Sequence, residues 1–246
     1  MVLAKSPTED AYDNARRYLD EEKIRSALQE ASDFGASYAE VRLVSITDSS
    51  VATRDGQLER AIPGQEVGAT MRVLANGAWG VHSTTDIESI PSQVESTVRL
   101  AKAVAERRSS KDKPVSLADV PIIEDSVHWI PEKDVRVTEL EEKLDLLNVL
   151  YDNSKDDKKI ASVICGWHDE HIHTEFMSSE GMNRVWSFQR SLINATVTAR
   201  DGSDVVSYRT RHGGEGGLEL IEQCDLATLG SDAKTSAIRL LKAERS

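Results

Sequence analysis

Gln65-Glu66-Val67-Gly68-Ala69-Thr70-Met71-Arg72-Val73-Leu74-Ala75 runs directly into Asn76-Gly77 and then Ala78-Trp79-Gly80, and the fold is read outward from this stretch. The run is strand-like, and Asn-Gly is a dipeptide in which both residues tolerate the positive φ of a two-residue hairpin turn. Toward the amino terminus Asp55-Gly56 repeats the signal, after strand-like Ser50 to Thr53 and Ser37 to Ile46, the latter containing Tyr38 and Val41 to Val44. The three runs form an antiparallel meander. Helices are expected on both sides of it. Between Asp20 and Gly35, Ile24, Ala27, Leu28, Ala31 and Phe34 recur at helical spacing, with Gly35 where a helix would stop. From Ile87 to Arg108, Ile90, Val94, Val98, Ala101 and Ala105 share one helical face.

Residues 109–137 differ in character, with Pro114, Pro121 and Pro131, a charged Lys111-Asp112-Lys113 run and no sustained periodicity. This stretch reads as a linker or surface excursion, and the charged run as solvated surface. Beyond it the first pattern returns. Leu140, Leu144, Leu147, Val149 and Leu150 mark a helix, followed by strand-like Lys159 to Trp167, His171 to Ser178, Val185 to Phe188 and Ser191 to Ala199. Glu180-Gly181 and Asp201-Gly202 punctuate them, and a last helix is expected over Leu226 to Ala243. Gly56 to Gly77 and Gly181 to Gly202 are both 21 residues apart. Two similar units in tandem account for that spacing, and so does the ordinary turn interval of any meander. The expected class is α+β: antiparallel β-meanders flanked by helices. The expected organisation is a first unit over 1–108, a linker over 109–137, and a second unit over 138–246 whose final helix leads into a catalytic domain outside this chain.

Composition narrows the partners. The 246 residues are 39% hydrophobic and 29% charged, which is globular composition. Thirty Lys and Arg against 42 Asp and Glu give a net charge of −12, a field that repels phosphate backbones, so no nucleic acid is expected as a direct ligand. Met1 to Asp10 lacks the pattern of a signal peptide, and no stretch reaches the roughly 20 apolar residues that span a bilayer. A cytoplasmic protein with no membrane partner is expected. Cys165 and Cys224 stand far apart and outside any C-x-x-C, which indicates idle thiols rather than a disulfide or thiolate-metal framework.

Several motifs resemble one family in order and spacing. They are Tyr38-Ala39-Glu40-Val41-Arg42, Gly68 to Val73, Gly77-Ala78-Trp79-Gly80, Ser83-Thr84-Thr85-Asp86, Ser178-Ser179-Glu180-Gly181 and Gly213-Gly214-Glu215-Gly216-Gly217-Leu218-Glu219. From about Ile24 to Arg245 the chain resembles the amino-terminal domain of the TldD/PmbA family, the zinc metallopeptidases also called modulators of DNA gyrase. The resemblance implies cytosolic, dimeric enzymes that degrade unfolded or modified peptides. It also implies a zinc ion in a carboxyl-terminal half, held by an H-E-x-x-x-H helix and a distant Cys, with the Glu as general base. None of the six histidines here is followed by Glu, so no ligand or base carries over to this chain. The resemblance thus implies a non-catalytic half that forms a substrate channel and supports a homodimer or a heterodimer with a related subunit. The chain itself is expected to need no cofactor and to show no activity alone. The alternative is a stand-alone peptide- or protein-binding assembly module, including a protein-level modulator of a DNA-metabolism partner.

No catalytic residue is expected within the chain, and the candidate substrate-binding residues are Arg211, His212, Gly213, Gly214, Gly216 and Gly217. The glycine run lacks the Gly-Lys-Ser/Thr of a phosphate loop, and Glu219 stands where G-x-G-x-x-G would close. Four glycines in five residues instead permit close backbone approach or motion, so a flexible, substrate-facing loop is expected there. His168-Asp169-Glu170-His171-Ile172-His173 offers ligand-type side chains but is expected at a solvated hairpin tip, short of a full metal set. Trp79 is expected in the core against a helix. Ile122, Ile123, Val127, Trp129 and Ile130 are expected to form a docking patch.

Overall fold

The structure, a computed structural model, describes residues 18–109 and 113–243. The expected readings of Met1 to Asp10, Lys111, Asp112 and the chain's last three residues lie outside them. Helix α1 (Glu21–Asp33) is followed by strands β1 (Tyr38–Arg54), β2 (Gln57–Ala75) and β3 (Ala78–Thr84), then helix α2 (Val94–Glu106) and strand β4 (Glu124–His128). Helix α3 (Leu140–Ser154) precedes β5 (Ile160–Ser178), β6 (Asn183–Asp201) and β7 (Asp204–Glu215), and helices α4 (Leu218–Glu222) and α5 (Leu226–Leu241) close the series. Among the described residues the strands form one seven-stranded sheet in the order β3-β2-β1-β5-β6-β4, with β7 also on β6. Among the described residues no helix is long and apolar enough to cross a membrane.

Local chemistry explains the elements that sequence reading anticipates. Asp20 caps α1 by accepting from the Lys23 amide at 3.1 Å, and Gly35 ends the helix at φ 89° while the Ala36 amide returns to the Ala31 carbonyl. Both hairpin dipeptides adopt the expected conformation, with φ of 51° and 79° at Asp55 and Gly56 and of 52° and 72° at Asn76 and Gly77. At Gly77 a Cβ would also collide with Pro114. Gly77→Val is therefore expected to destabilise the protein by roughly 1 to 3 kcal/mol, through strain at positive φ plus that collision. Urea melts compare it with the parent, and superimposable curves would show that the turn tolerates a side chain.

Contacts group the described residues into two compact units: unit 1 takes residues up to Ser45 together with Glu66–His128 and Ile172–Ser187, while unit 2 takes Ile46–Gln65, Trp129–His171 and the chain from Phe188 on. The units interleave along the chain, because β1, β2, β5 and β6 are 17 to 19 residues long and each passes from one unit into the other. In unit 1, Ile24, Leu28 and Ala31 of α1 and Val94, Val98 and Ala101 of α2 pack against Val41 and Leu43 of β1 and Met71 and Val73 of β2. In unit 2, Leu147 and Leu150 of α3 and Ala233 and Ala237 of α5 cover Val163, Cys165 and Trp167 of β5 and Ile193, Ala195 and Val197 of β6.

Four expectations are corrected. Ile87 to Arg108 is not one helix: 3₁₀ turns at Ile87–Ser89 and Pro91–Gln93 precede α2, since Pro91 has no amide hydrogen to continue a helical ladder. The stretch read as a linker or surface excursion contains β4, which runs parallel to β6 with Asp125 beside Arg184 and Val127 beside Trp186. Trp79 is half-buried outside the core, because Ala78 and Gly80 take the helix-facing positions of β3 and Trp79 points to the other face. The His168 to His173 cluster is no hairpin tip. It lies within β5, whose odd-numbered residues from Val163 to Met177 are all buried.

Candidate functional site

Sequence reading places a flexible glycine loop at Arg211 to Gly217; the structure places these residues on the last strand of unit 2 and at its exit. Arg211, His212, Gly213 and Gly214 stand opposite Asn194, Ile193, Leu192 and Ser191 of β6 in an antiparallel ladder. Sheet pairing satisfies the backbone, so the segment needs no loop conformation. Gly213 is glycine for a steric reason: a Cβ there would overlap the Ser191 carbonyl oxygen and approach Leu192 Cα to 2.9 Å. Gly216 and Gly217 are buried. The Ser191 hydroxyl donates to their carbonyls at 2.9 and 3.1 Å, the Gly216 amide donates to the Gln189 carbonyl at 3.0 Å, and the Gly217 amide donates to the Glu219 carboxylate at 3.0 Å. Six of the seven residues from Arg211 to Gly217 are thus held by named hydrogen bonds or ladder pairs, and close backbone approach replaces the expected loop.

What remains available is the outer side of β7. Its ladder partner is β6, and no second strand pairs with it among the described residues. Arg211, Gly213, Gly214 and Glu215 are exposed, whereas His212 is half-buried. No described carboxylate pairs with Arg211. Chemically this is a strand edge with unused amides and carbonyls, two positions without side chains, and one guanidinium.

Residues of the supposed linker brace this edge from below, and sequence reading misses them. Gln189 is fully buried; its amide donates to Asp134 Oδ1 at 2.7 Å and its side-chain carbonyl accepts from the Val135 amide at 3.0 Å. Burial alone would raise the Asp134 pKa, but the Arg136 guanidinium and amide, with Gln189, hold it below the usual carboxylate value. Glu219 ties the same region together, accepting from the Lys133 amide at 3.0 Å through its second oxygen. The Asp134-Val135-Arg136 triplet shortly after Pro131 is the only signal the sequence offers for this brace, and it does not reveal the partner at Gln189.

Two other polar clusters lie in the interior. In unit 2, Asp169 accepts from Lys143 Nζ at 2.6 Å, from Ser49 Oγ at 2.7 Å and from the Trp167 indole. In unit 1, His173 Nε2 meets Glu175 at 3.1 Å, its ring stacks on His128 with centroids 6.3 Å apart, and His128 Nδ1 contacts the Ser187 hydroxyl at 2.8 Å. A cleft of roughly 530 Å³ opens beside Glu175, lined also by Glu124, Asp125, Ser126 and Asn183. Among the described residues no three His, Cys, Asp or Glu side chains stand where they could hold a metal ion. The described residues do not fit a zinc centre. Burial pushes the Cys165 thiol up to about 12, with Thr53 pulling the other way, and burial followed by the Asp225 charge raises Cys224. Neither is an activated nucleophile.

Residues 39–105 match the family domain described as PmbA/TldA metallopeptidase domain 1, and residues 133–241 the PmbA/TldA metallopeptidase central domain. Over 92% of its length the chain is 27% identical to a metalloprotease of Methanothermobacter thermautotrophicus and 28% identical to one of Methanocaldococcus jannaschii, covering 48% of each. It spans about half the length of the curated relatives it matches. The fold is shared with a Bacteroides thetaiotaomicron protein described as a candidate modulator of DNA gyrase, at TM-score 0.72 and 19% identity over 93% of this chain and 52% of that one. It is shared too with TldE of Thermococcus kodakarensis, at TM-score 0.61 and 16% identity over 88% and 47%.

Proposed function

The chain belongs to the TldD/PmbA metallopeptidase family, and from that premise we propose that it is the amino-terminal, non-catalytic half of such an enzyme, holding extended peptides for hydrolysis elsewhere. The observation that carries the proposal is coverage: nearly all of this chain aligns, and it aligns with about half of each metalloprotease. On this reading the zinc, its ligands and the general base belong to the carboxyl-terminal half. The working enzyme is a cytoplasmic homodimer or a heterodimer with a related subunit. A charge of −12 favours peptide and protein partners over nucleic acid.

The outer edge of β7 is the surface we assign to substrate. An extended peptide laid along it gains main-chain hydrogen bonds, which are indifferent to sequence and so suit an enzyme acting on varied unfolded peptides. Gly213 and Gly214 leave its approach clear, and Arg211 supplies charged donors to a peptide carbonyl or carboxylate. Gly216 and Gly217 hold the strand's exit in place, and His212 keeps its ladder position opposite Ile193.

Reading the gene beyond codon 246 tests the assignment at its root: an open frame continuing into H-E-x-x-x-H supports the enzyme half, and a stop codon there leaves the binding module. In the complete enzyme, Arg211→Ala is expected to lower kcat/KM on a peptide about tenfold, equivalent to about 1.4 kcal/mol. A urea melt of Arg211→Ala that superimposes on that of the parent controls for a change in strand structure. Turnover of Arg211→Ala within about twofold of the parent, about 0.4 kcal/mol, would remove Arg211 from the site.

A further inference from the structure

Unit 1 contains the same construction twice on one face of its sheet, once complete and once open. In the complete version, the Arg72 guanidinium lies 4.1 Å from the Trp79 ring centroid and its Nη1 is 3.1 Å from the Glu40 carboxylate. Tyr38 donates its hydroxyl to the second Glu40 oxygen at 2.8 Å and sets its ring edge-on to Trp79 at 6.0 Å. An aromatic face carries the guanidinium while a carboxylate takes its N–H edge.

Two residues along β1 from Glu40, and hence on the same face, Arg42 repeats the first half of this arrangement. Its guanidinium carbon is 5.5 Å from the Phe176 ring and 6.0 Å from the Trp186 ring, both half-buried. The neighbouring Arg184 is answered by Asp125 at 2.7 and 3.1 Å. Arg42 is exposed, and no described carboxylate pairs with it. In a chain of charge −12, a guanidinium stacked on two rings without an acidic partner stands out against its surroundings. Stacking restricts the arginine rotamers in advance, so less entropy is lost when an anion arrives.

We propose that Arg42, with Phe176 and Trp186, forms a subsite for a peptide carboxylate. Glu40 on Arg72 shows which anion this geometry suits. The chain's negative field disfavours polyanions, whereas one carboxylate on an otherwise neutral peptide meets a single bidentate donor. Apolar side chains flanking the carboxylate pack on the two rings. The carboxylate comes either from an Asp or Glu side chain or from the peptide's carboxyl terminus. The inference rests on the peptide-binding reading above and adds a preference to it.

The test is fluorescence anisotropy on the 246-residue chain with three dye-labelled peptides of one extended sequence: a central Glu with an amidated terminus, a central Gln with a free terminus, and a central Gln with an amidated terminus. The expected result is that one or both carboxylate-bearing peptides bind about tenfold more tightly than the neutral one, and which of them does identifies the source. Arg42→Gln is expected to reduce binding to the neutral level, and Arg42→Lys to recover only part of the preference. Arg42 is exposed, so both variants should melt with the parent; if Arg42→Gln does not fold, Arg42→Lys and Trp186→Leu carry the comparison. A preference that survives Arg42→Gln, or equal binding of all three peptides, overturns the subsite while leaving peptide binding intact. Absence of binding by any of the three overturns the peptide-holding reading as well.

Discussion

Asp169→Ala is expected to cost about 3 to 5 kcal/mol of folding stability, the range for removing one partner from a buried ion pair. The Lys143 and Asp169 side chains are 6% and 5% exposed. Asp169 Oδ2 receives Lys143 Nζ, Ser49 Oγ and the Trp167 indole N–H, so its loss strands an ammonium ion, a hydroxyl and an indole in unit 2 at once. Lys143 Nζ also lies 5.7 Å from the Trp167 ring and 2.6 Å from Ser49 Oγ, contacts too weak to replace the charge partner. The double change Lys143→Met with Asp169→Leu removes both charges together and is expected to recover most of the loss. Urea unfolding of the parent and both variants measures this. A single-variant loss under about 1 kcal/mol would mean that water reaches the pair and that it behaves as a surface bridge.

Gly80→Val is expected to be the most damaging single change in unit 1, at about 3 kcal/mol or slightly more. A Cβ on Gly80 would overlap the Thr97 carbonyl oxygen and come within 3.0 Å of the Ala101 amide nitrogen and 3.2 Å of the Ala101 methyl. These are backbone and short side-chain atoms of α2, with no flexible end to swing aside. Relief requires α2 to lift from β3, which would open contacts made by buried Val94, Val98 and Ala101. Gly80→Ala should cost less than Gly80→Val, and both should be worse than Gly68→Ala, where the nearest atom lies at 3.6 Å. Melting temperatures of the three variants give the order. If Gly80→Ala melts no lower than Gly68→Ala, α2 sits further from β3 than described.

The glycine run shows how far composition reaches. Four glycines in five residues correctly announce that backbone, not side chains, matters between Gly213 and Gly217. They do not distinguish motion from close approach. The distinction came from β6, whose Ser191 and Gln189 bond the run along its length, and those residues precede it by more than twenty positions. Arg211 is legible as a charged residue beside glycines, but its place on a strand edge depends on the register with Asn194. Arg42 carried no signal beyond its family motif, because Phe176 and Trp186 reach it from strands more than 130 residues away in the chain.

By itself the sequence determined what short-range chemistry decides. The Asp-Gly and Asn-Gly hairpins, the Asp20 cap and Gly35 stop of α1, the final helix and the α+β class follow from φ preferences, capping and apolar period, each complete within a few residues. Tertiary structure decided which polar residues are inside. The alternation of β5 continues through Asp169, His171, His173 and Glu175 as it does through Val163, Cys165 and Trp167, so the pattern marks a face without saying whether water covers it. A carboxylate is expelled from an interior unless donors answer it. For Asp169 they come from 26 residues away at Lys143 and 120 residues away at Ser49. The same holds for β4, a short polar segment made a strand by Arg184 on Asp125 and Ser187 on His128, partners that only the folded chain assembles.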